Sequence, residues 1–237
     1  MVVFFITMNK LKKLLPIFIG LLYSNLMIAH DFVMDGIYYN ITSTTDLTVE
    51  VTHQGSYPNS YFNEYSGAVT IPSTVTYDSK TYSVTSIGSA AFADCNGLTS
   101  IAIPGSIKSM GIHAFNNCNN LSYVTIQEGI TAIGGAAFSG CVKLTSITIP
   151  SSVKEISTLA FDACTGLESV IICNGVTSIG EEAFSDCSSL ASIVIPPSMT
   201  NIMEYAFLDC ASLSEVHISD LAAWCNIDFE GMESNPL

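Results

Sequence analysis

Cysteine and histidine are the residues of this chain that could ligate a metal or attack a substrate. Six of the eight cysteines recur at a step of 23 residues: Cys95, Cys118, Cys141, Cys164, Cys187 and Cys210. Zinc sites are usually built from close pairs such as Cys-x-x-Cys, and the sequence contains no such pair. Since free cysteine is among the most buried residue types, this column predicts a row of packed thiols.

Disulfide bonds are the alternative interpretation, because an exported protein with eight cysteines is often stabilised by disulfides. Neighbours in the column would stand about 5 Å apart, which is a Cα separation within disulfide range. Their side chains should point the same way, however, and not toward each other. Free thiols are therefore the favoured interpretation, and Cys173 and Cys225, which lie outside the column, are the two expected to be exposed.

The histidines and acidic residues form no recognisable catalytic or metal-binding pattern. The four histidines lie in different segments, at no ligand spacing: His30, His53, His113 and His217. The residues before the cysteine column are not a calcium ladder, since they read Asp94, Asn117, Gly140, Ala163, Asp186 and Asp209. The sequence also lacks a Gly-x-Ser-x-Gly elbow and a His-Glu-x-x-His motif. We predict that the protein is not an enzyme and uses no metal or cofactor.

Composition excludes several classes of partner and also excludes a disordered chain. The 237 residues include 7 Lys+Arg, none of them arginine, against 21 Asp+Glu, for a formal net charge of −14. Nucleic acids and anionic membrane surfaces attract clustered basic residues, so neither is a predicted partner. With 49% hydrophobic and only 12% charged residues, the chain has the composition of a folded protein.

The first 29 residues are predicted to be a secretory signal peptide. Three lysines between positions 10 and 13 precede an uncharged apolar run over residues 14–29, with a plausible cleavage point after Ala29. This run is shorter than the roughly 20 apolar residues of a membrane-spanning helix. Translation could start at Met1 or at Met8. We therefore expect a secreted or cell-surface protein that has no membrane span after cleavage.

An internal repeat dominates the rest of the chain. Like cysteine, the dipeptide Ala-Phe recurs every 23 residues, with its phenylalanines at Phe92, Phe115, Phe138, Phe161, Phe184 and Phe207. Leucine and two β-branched residues recur at the same step as Leu-x-x-Ile-x-Ile or its valine variants. Residues two apart share one face of a strand, so each unit predicts a short strand followed by a turn or by one or two turns of helix. One unit cannot bury its apolar residues alone, whereas stacked units form a continuous core.

These units resemble the BspA-like leucine-rich repeats of bacterial secreted and surface proteins. The shared pattern is Leu-x-x-Ile-x-Ile-Pro-x-x-Val-x-x-Ile-Gly-x-x-Ala-Phe-x-x-Cys, and six copies cover Val84 to Ile218. The segment from Asp31 to Tyr39 also resembles the N-terminal cap of that family. The resemblance implies a right-handed repeat solenoid with a strand plus a short turn or helix per coil. It further implies adhesion or protein binding, and no catalytic residues.

Four segments are predicted along the chain: a signal peptide over 1–29, an N-terminal β-hairpin cap over 30–83, six repeats over 84–221 and a C-terminal segment over 222–237. After the last repeat strand, Asp220 is expected to cap a short helix. Leu221, Trp224 and Cys225 share one face of that helix and are expected to cover the last coil. No further strand is expected beyond Ile218, and the sequence leaves open whether this end is truncated.

Outward-facing strand positions are the predicted binding surface, because stacked strands present an extended row of side chains. The candidate residues are Tyr123, Thr125, Thr148, Ile171, Val194 and His217. We predict that they contact a protein or another macromolecular surface ligand, which makes the chain a binding or adhesion module. Two alternatives stay open: the face binds nothing, or the protein is a structural envelope protein that associates with itself.

Overall fold

Nearly all regular structure in the described part of this protein is β-strand, arranged as the coils of a solenoid that follow an antiparallel region. The computed structural model describes residues 30–54, 64–231 and 234–236. The predicted signal peptide lies outside the described residues. Within the described part of the chain, no helix is long and apolar enough to cross a membrane.

Antiparallel hairpins precede the coils. The described residues of this region, 30–54 and 64–87, form six strands: β1 (Phe32–Met34), β2 (Ile37–Ser43), β3 (Thr48–Thr52), β4 (Ser66–Thr70), β5 (Thr74–Tyr77) and β6 (Lys80–Ile87). β1, β2 and β3 pair antiparallel in succession, and β5 pairs with β6 in a second hairpin. β6 also pairs in parallel with β3, which joins the hairpins into one sheet. Ile37 and Tyr39 alternate with outer residues along β2, so one face of this sheet packs on the core.

Each coil contributes one longer strand and one two-residue strand. The longer strands are β7 (Gly97–Ile103), β9 (Tyr123–Ile126), β11 (Ser146–Ile149), β13 (Ser169–Ile172), β15 (Ser192–Ile195) and β17 (Glu215–Ile218). The short strands are β8 (Ser109–Met110), β10 (Ala132–Ile133), β12 (Glu155–Ile156), β14 (Ser178–Ile179), β16 (Asn201–Ile202) and β18 (Asp228–Phe229). Paired residues such as Ile147 and Val170 lie 23 positions apart, so the sequence period sets the register of the stack. β4 pairs in parallel with β7 and begins the wall of longer strands.

The core consists of apolar columns that run along the solenoid. Six phenylalanine rings stack face to face, with successive centroids 4.8–5.7 Å apart and planes within 14° of parallel. All of these rings except that of Phe207 are wholly buried. Tyr65 extends the stack into the N-terminal region, 4.3 Å from Phe92, and its hydroxyl donates to the Thr52 carbonyl at 2.6 Å. Burying one such side chain stabilises the fold by roughly 1.5–3 kcal/mol, so the stack is a main source of stability.

The Ala-Phe segment of each coil is a series of turns closed by hydrogen bonds between residues three apart, and no α-helix forms there. In one central coil the Cys141 N–H donates to the Phe138 carbonyl at 3.1 Å and closes a turn. The Phe138 N–H instead donates to Ala160 of the next coil at 2.8 Å. Two residues in this coil have left-handed backbone, Ala136 (φ 50°) and Gly140 (φ 73°), and the other coils repeat this arrangement. The left-handed residues direct every second backbone N–H toward the next coil. Hydrogen bonds between coils therefore take the place of the hydrogen bonds that an α-helix would form.

The short C-terminal helix forms as expected but covers less of the solenoid than expected. Asp220 caps α1 (Leu221–Trp224) by accepting a backbone N–H at 3.0 Å. Trp224 packs against the core, whereas Leu221 is 67% exposed and Cys225 is exposed. The prediction that all three cover the last coil is therefore wrong, because a single helical turn brings only its largest side chain onto the coil.

A strand beyond Ile218 also departs from the prediction. β18 pairs in parallel with β16, joining Phe229 to Ile202. These partners lie 27 positions apart instead of 23, because α1 lengthens the connection. The Phe229 ring also meets Trp224 edge-on, with centroids 5.3 Å apart. A two-residue strand outside the repeat period is too short to show an alternation of apolar and polar residues, so it could not be predicted from the residue pattern.

Candidate binding surface

The cysteine column is a ladder of free thiols that links the coils. All eight cysteines are free, and the five column members from Cys95 to Cys187 are buried. Each thiol from Cys118 onward donates to a phenylalanine carbonyl of the preceding coil, at Sγ–O distances of 3.0–3.2 Å. Burial raises the pKa of every column thiol, that of Cys95 to about 11. The prediction of packed free thiols is confirmed, and these cysteines are structural.

Thiol alkylation without denaturant should therefore separate the cysteines into two groups. Cys225 is exposed and should react first, while Cys173 and Cys210 are half-buried and should react more slowly. Cys210 was not among the predicted exposed thiols; it lies in the last coil, where less of the chain covers it. Because the thiolate is the reactive form, the raised pKa and burial of the other five should leave them unlabelled. Mass spectrometry checks this, and rapid labelling of Cys141 would contradict it.

The histidines are spread over separate segments. His217 lies 3.1 Å from Glu215 on the surface, and His30 lies 3.2 Å from the Gln54 carbonyl. His113 is exposed in a turn with a left-handed backbone. Among residues 30–54, 64–231 and 234–236, no group of three His, Cys, Asp or Glu side chains is placed to hold a metal ion.

The predicted candidate residues all lie on outward positions of the longer strands, and we call this surface the strand face. They are Tyr123 and Thr125 on β9, Thr148 on β11, Ile171 on β13, Val194 on β15 and His217 on β17. The last four follow one another in register across the sheet, at a spacing of about 4.8 Å. Tyr123 is 62% and Ile171 48% exposed, whereas Thr125 and Val194 are half-buried. Thr148, Ile171 and Val194 form an uncharged row, whereas Tyr123 lies in the neighbouring row, which passes through Ser146, Ser169 and Ser192 to the charged Glu215.

The wall of longer strands opens between β9 and β11. β9 is the last strand of one sheet and β11 is the first strand of the next, so these two strands are not paired with each other. β7 does pair with β9, and β11 does pair with β13. A cavity of about 200 Å³ occupies the opening, lined by the residues of β9 and by 146–148. At this repeat position the Gln127 and Cys173 N–H groups donate across the neighbouring joints, whereas Pro150 has no N–H to donate. Pro196 also lacks an N–H, yet its strand β15 pairs with β13, so proline alone does not open the joint.

On the turn side the same joint remains closed. Phe115 and Phe138 stack with centroids 5.0 Å apart, and the Cys141 thiol donates to the Phe115 carbonyl at 3.2 Å. The Phe115 N–H also donates to Ala137 of the next coil at 2.7 Å. The joint is therefore a wedge that opens only on the strand face, beside Tyr123. Its lining residues are uncharged. Sequence reasoning missed this cleft, since the proline after β11 recurs after the paired strand β15.

Parallel strands in a 23-residue register, joined by turns around stacked phenylalanines, define a leucine-rich-repeat solenoid. The family model for the BspA-type leucine-rich-repeat region matches residues 85–214 in six copies. The match spans more than half of the chain, so the protein belongs to this family, and the resemblance seen in the repeats is confirmed. Proteins of this repeat family and fold are generally not enzymes.

Several bacterial leucine-rich-repeat proteins of known structure share the fold. The protein from T. pallidum is 27% identical, with a TM-score of 0.67, and the match covers 79% of this chain and 83% of that one. The protein from Bacteroides ovatus is 32% identical with a TM-score of 0.58; the match covers 85% of this chain but 55% of that longer one. A protein from Eubacterium ventriosum, 23% identical, shares the fold alone, with a TM-score of 0.64 over 83% of this chain and 48% of that one. No curated protein sequence is significantly similar to the chain.

Proposed function

We propose that this protein is an exported, non-catalytic repeat protein that binds another macromolecule through the strand face. The observation that carries the proposal is the exposure of Tyr123 and Ile171 on the strand face, near a cleft in the strand wall. Aromatic side chains are enriched where proteins bind each other, because they bury a large area at little entropic cost. A row spaced at about 4.8 Å lets one partner contact four or five coils at once.

The turn side is a weaker candidate for this role. Its exposed positions carry mixed residues, such as His113 in one coil and Glu182 at the matching position three coils later. Their backbone is left-handed and their N–H groups already bond to the next coil, at 2.9 Å for His113 and 3.2 Å for Glu182. A partner there would find neither a continuous apolar row nor free backbone groups at these residues. The strand face offers the apolar row and the opened edges of β9 and β11.

The partner we propose is a protein or another macromolecule at a cell surface, belonging to a host or to a neighbouring cell. A formal charge of −14 argues against nucleic acid. Export rests on the lysine-led apolar run over residues 14–29. The resemblance of the repeats to those of bacterial secreted and surface proteins supports surface display and a role in adhesion.

Self-association is a second candidate, and one observation favours it. Among the described residues β17 is the last strand of its sheet, and a cavity of about 320 Å³ near it is lined by Phe207, Asp209, Cys210, Ala211, Leu213, Asn235 and Pro236. An unpaired strand edge next to apolar side chains is a surface on which another copy could stack. Size-exclusion chromatography over a range of concentrations separates the candidates, because end-to-end stacking requires oligomers that grow with concentration.

Two measurements test the proposed function. Whole cells that produce the protein are treated with an impermeant amine-labelling reagent, and we expect label on this chain but not on a cytosolic marker. The immobilised protein is then incubated with host extracellular matrix and, separately, with bacterial envelope fractions. We expect one component to be retained at a salt concentration that removes non-specific binders. Absence of label on intact cells together with absence of the protein from the culture medium would contradict export, and failure to retain any component would contradict the binding role.

A further inference from the structure

The last strand in the wall of longer strands, β17, leaves apolar side chains open to solvent. Among the described residues β17 pairs with β15 and with no other strand. Ile218 is 36% exposed, whereas the matching Ile195 of the preceding coil is 2% exposed. Val216 is half-buried although its equivalent Ile193 is wholly buried, and Leu221, just beyond β17, is exposed. Side chains that face the core in other coils therefore reach solvent at this end.

The backbone of β17 also has unpaired groups along this edge. The Glu215 N–H donates to the Ala191 carbonyl of the preceding coil at 3.1 Å, so the backbone groups of Glu215 face β15. Successive residues of a strand direct their N–H and C=O groups to opposite sides, so Val216 and Ile218 direct theirs away from β15. An edge with such groups is a template on which another strand can pair.

The charges that flank Val216 make this edge complementary to itself. Glu215 and His217 lie on the strand face with more than half of each side chain exposed, and Oε2 of Glu215 is 3.1 Å from Nε2 of His217. In an antiparallel pairing centred on Val216, the two copies of Val216 face each other and exchange two hydrogen bonds. Glu215 of each copy then lies directly opposite His217 of the other, with Cβ atoms about 4.5–5.5 Å apart.

This register is the one that the charges favour. Centring the pairing on His217 would instead set the two histidines opposite each other and leave Glu215 without a basic partner. A two-fold interface uses the same surface on both copies and therefore requires self-complementarity, which the pairing centred on Val216 provides.

The other end of the solenoid is a poorer match for β17. There the wall of short strands continues past β6 into β3, β2 and β1, whereas the wall of longer strands begins at β4. The hairpins thus extend beyond β4 and obstruct the approach of another solenoid end. At the C-terminal end of the described residues both walls finish in the same coil, with β17 and β18. We propose that two copies of this chain form a closed dimer in which β17 of one copy pairs antiparallel with β17 of the other.

Sedimentation velocity of the full chain over a range of concentrations tests the size of the assembly. We expect an equilibrium between monomer and dimer, without larger species, because the pairing uses up the open edge of both copies. Growth beyond the dimer would overturn the closed arrangement in favour of open-ended stacking. A chain that stays monomeric would overturn the dimer together with the self-association candidate, on which it rests.

Cysteine variants test the register of the pairing. They are made in a Cys225→Ser background, because Cys225 is an exposed thiol, and the background protein alone is the control. Residues opposite each other in antiparallel strands lie within disulfide range. Oxidation of Glu215→Cys mixed with His217→Cys should therefore give the mixed covalent dimer in excess over either self-linked dimer. A statistical mixture of the three, or no covalent dimer, would overturn the register.

Exchanging the charges tests the contacts that the register creates. Glu215→Lys should weaken the dimer at least about fivefold, since it sets lysine opposite histidine at both contacts. Adding His217→Glu should restore it, because glutamate then faces lysine. Glu168→Lys, at an exposed position two coils earlier, should leave the dimer unchanged. Failure of the folded double variant to recover, or an equal effect of Glu168→Lys, would overturn the proposal. The tests leave Tyr123 and Ile171 intact, so macromolecular binding on the strand face and this dimer can fail separately.

Discussion

Replacing Phe138 by alanine is expected to lower the free energy of unfolding by about 3–5 kcal/mol, the range measured for buried aromatic residues. Phe138 is 0% exposed and stacks between Phe115 and Phe161, with centroids 5.0 and 5.3 Å away. The neighbouring rings are held by their own coils and cannot collapse into the vacated space. Urea denaturation followed by circular dichroism measures the loss.

Val142→Ala in the same coil is the matched control, because Val142 is 39% exposed. We expect this substitution to cost less than about 1 kcal/mol, as is usual for partly exposed positions away from the core. A loss below about 1 kcal/mol for Phe138→Ala itself would mean that the phenylalanine stack does not hold the coils together.

Adding a single methyl group at Gly134 is expected to destabilise the protein by about 1–3 kcal/mol, the usual cost of overpacking. A Cβ at this position would lie 2.5 Å from the Gly111 carbonyl oxygen and 2.6 Å from that of Met110. Both atoms belong to the backbone of the preceding coil, which cannot move without separating the stacked coils. Thermal and urea unfolding of Gly134→Ala measure the effect.

The adjacent glycine provides a control for this prediction. A Cβ at Gly135 would meet no atom closer than the Thr158 carbonyl oxygen at 3.5 Å. Gly135→Ala should therefore stabilise the protein slightly, by about 0.4–1 kcal/mol, because alanine restricts the unfolded chain. If both substitutions had the same effect, the close approach of the coils at Gly134 would not be a determinant of stability.

Periodic features were predictable from the sequence because every coil repeats the same physical requirement. Phe138 and Cys141 recur at one step, and only a stack in register can bury all their equivalents together. The outward position of Ile171 followed from strand alternation, since Val170 and Ile172 on either side of it point inward. The fold and the placement of the candidate residues on strands could therefore be derived before the structure.

Features that depend on geometry between coils could not be derived in this way. Leu159 adopts a left-handed backbone that its residue type disfavours, because the surrounding bonds between coils impose it. No residue type in β11 marks the cleft beside it. Ser146 to Ile149 alternate between exposed and buried positions, as the residues of the paired strands do. Tyr39 is wholly buried and its hydroxyl has no hydrogen-bond partner, a feature that depends on the surrounding residues in three dimensions and not on the sequence pattern.

The central claim, that binding occurs on the strand face, is tested most directly by comparing two triple variants. One carries Tyr123→Asp, Ile171→Asp and Val194→Asp, and the other carries His113→Asp, Glu182→Lys and Glu204→Lys on the turn side. Each is assayed for binding to the surface component that the wild-type protein retains, with circular dichroism as a folding control.

We expect the strand-face variant to lose at least about tenfold in affinity, because a charge in a desolvated apolar contact costs more than one factor of ten. The turn-side variant should bind as the wild type does. Retention of binding by a folded strand-face variant, together with its loss in a folded turn-side variant, would contradict the account.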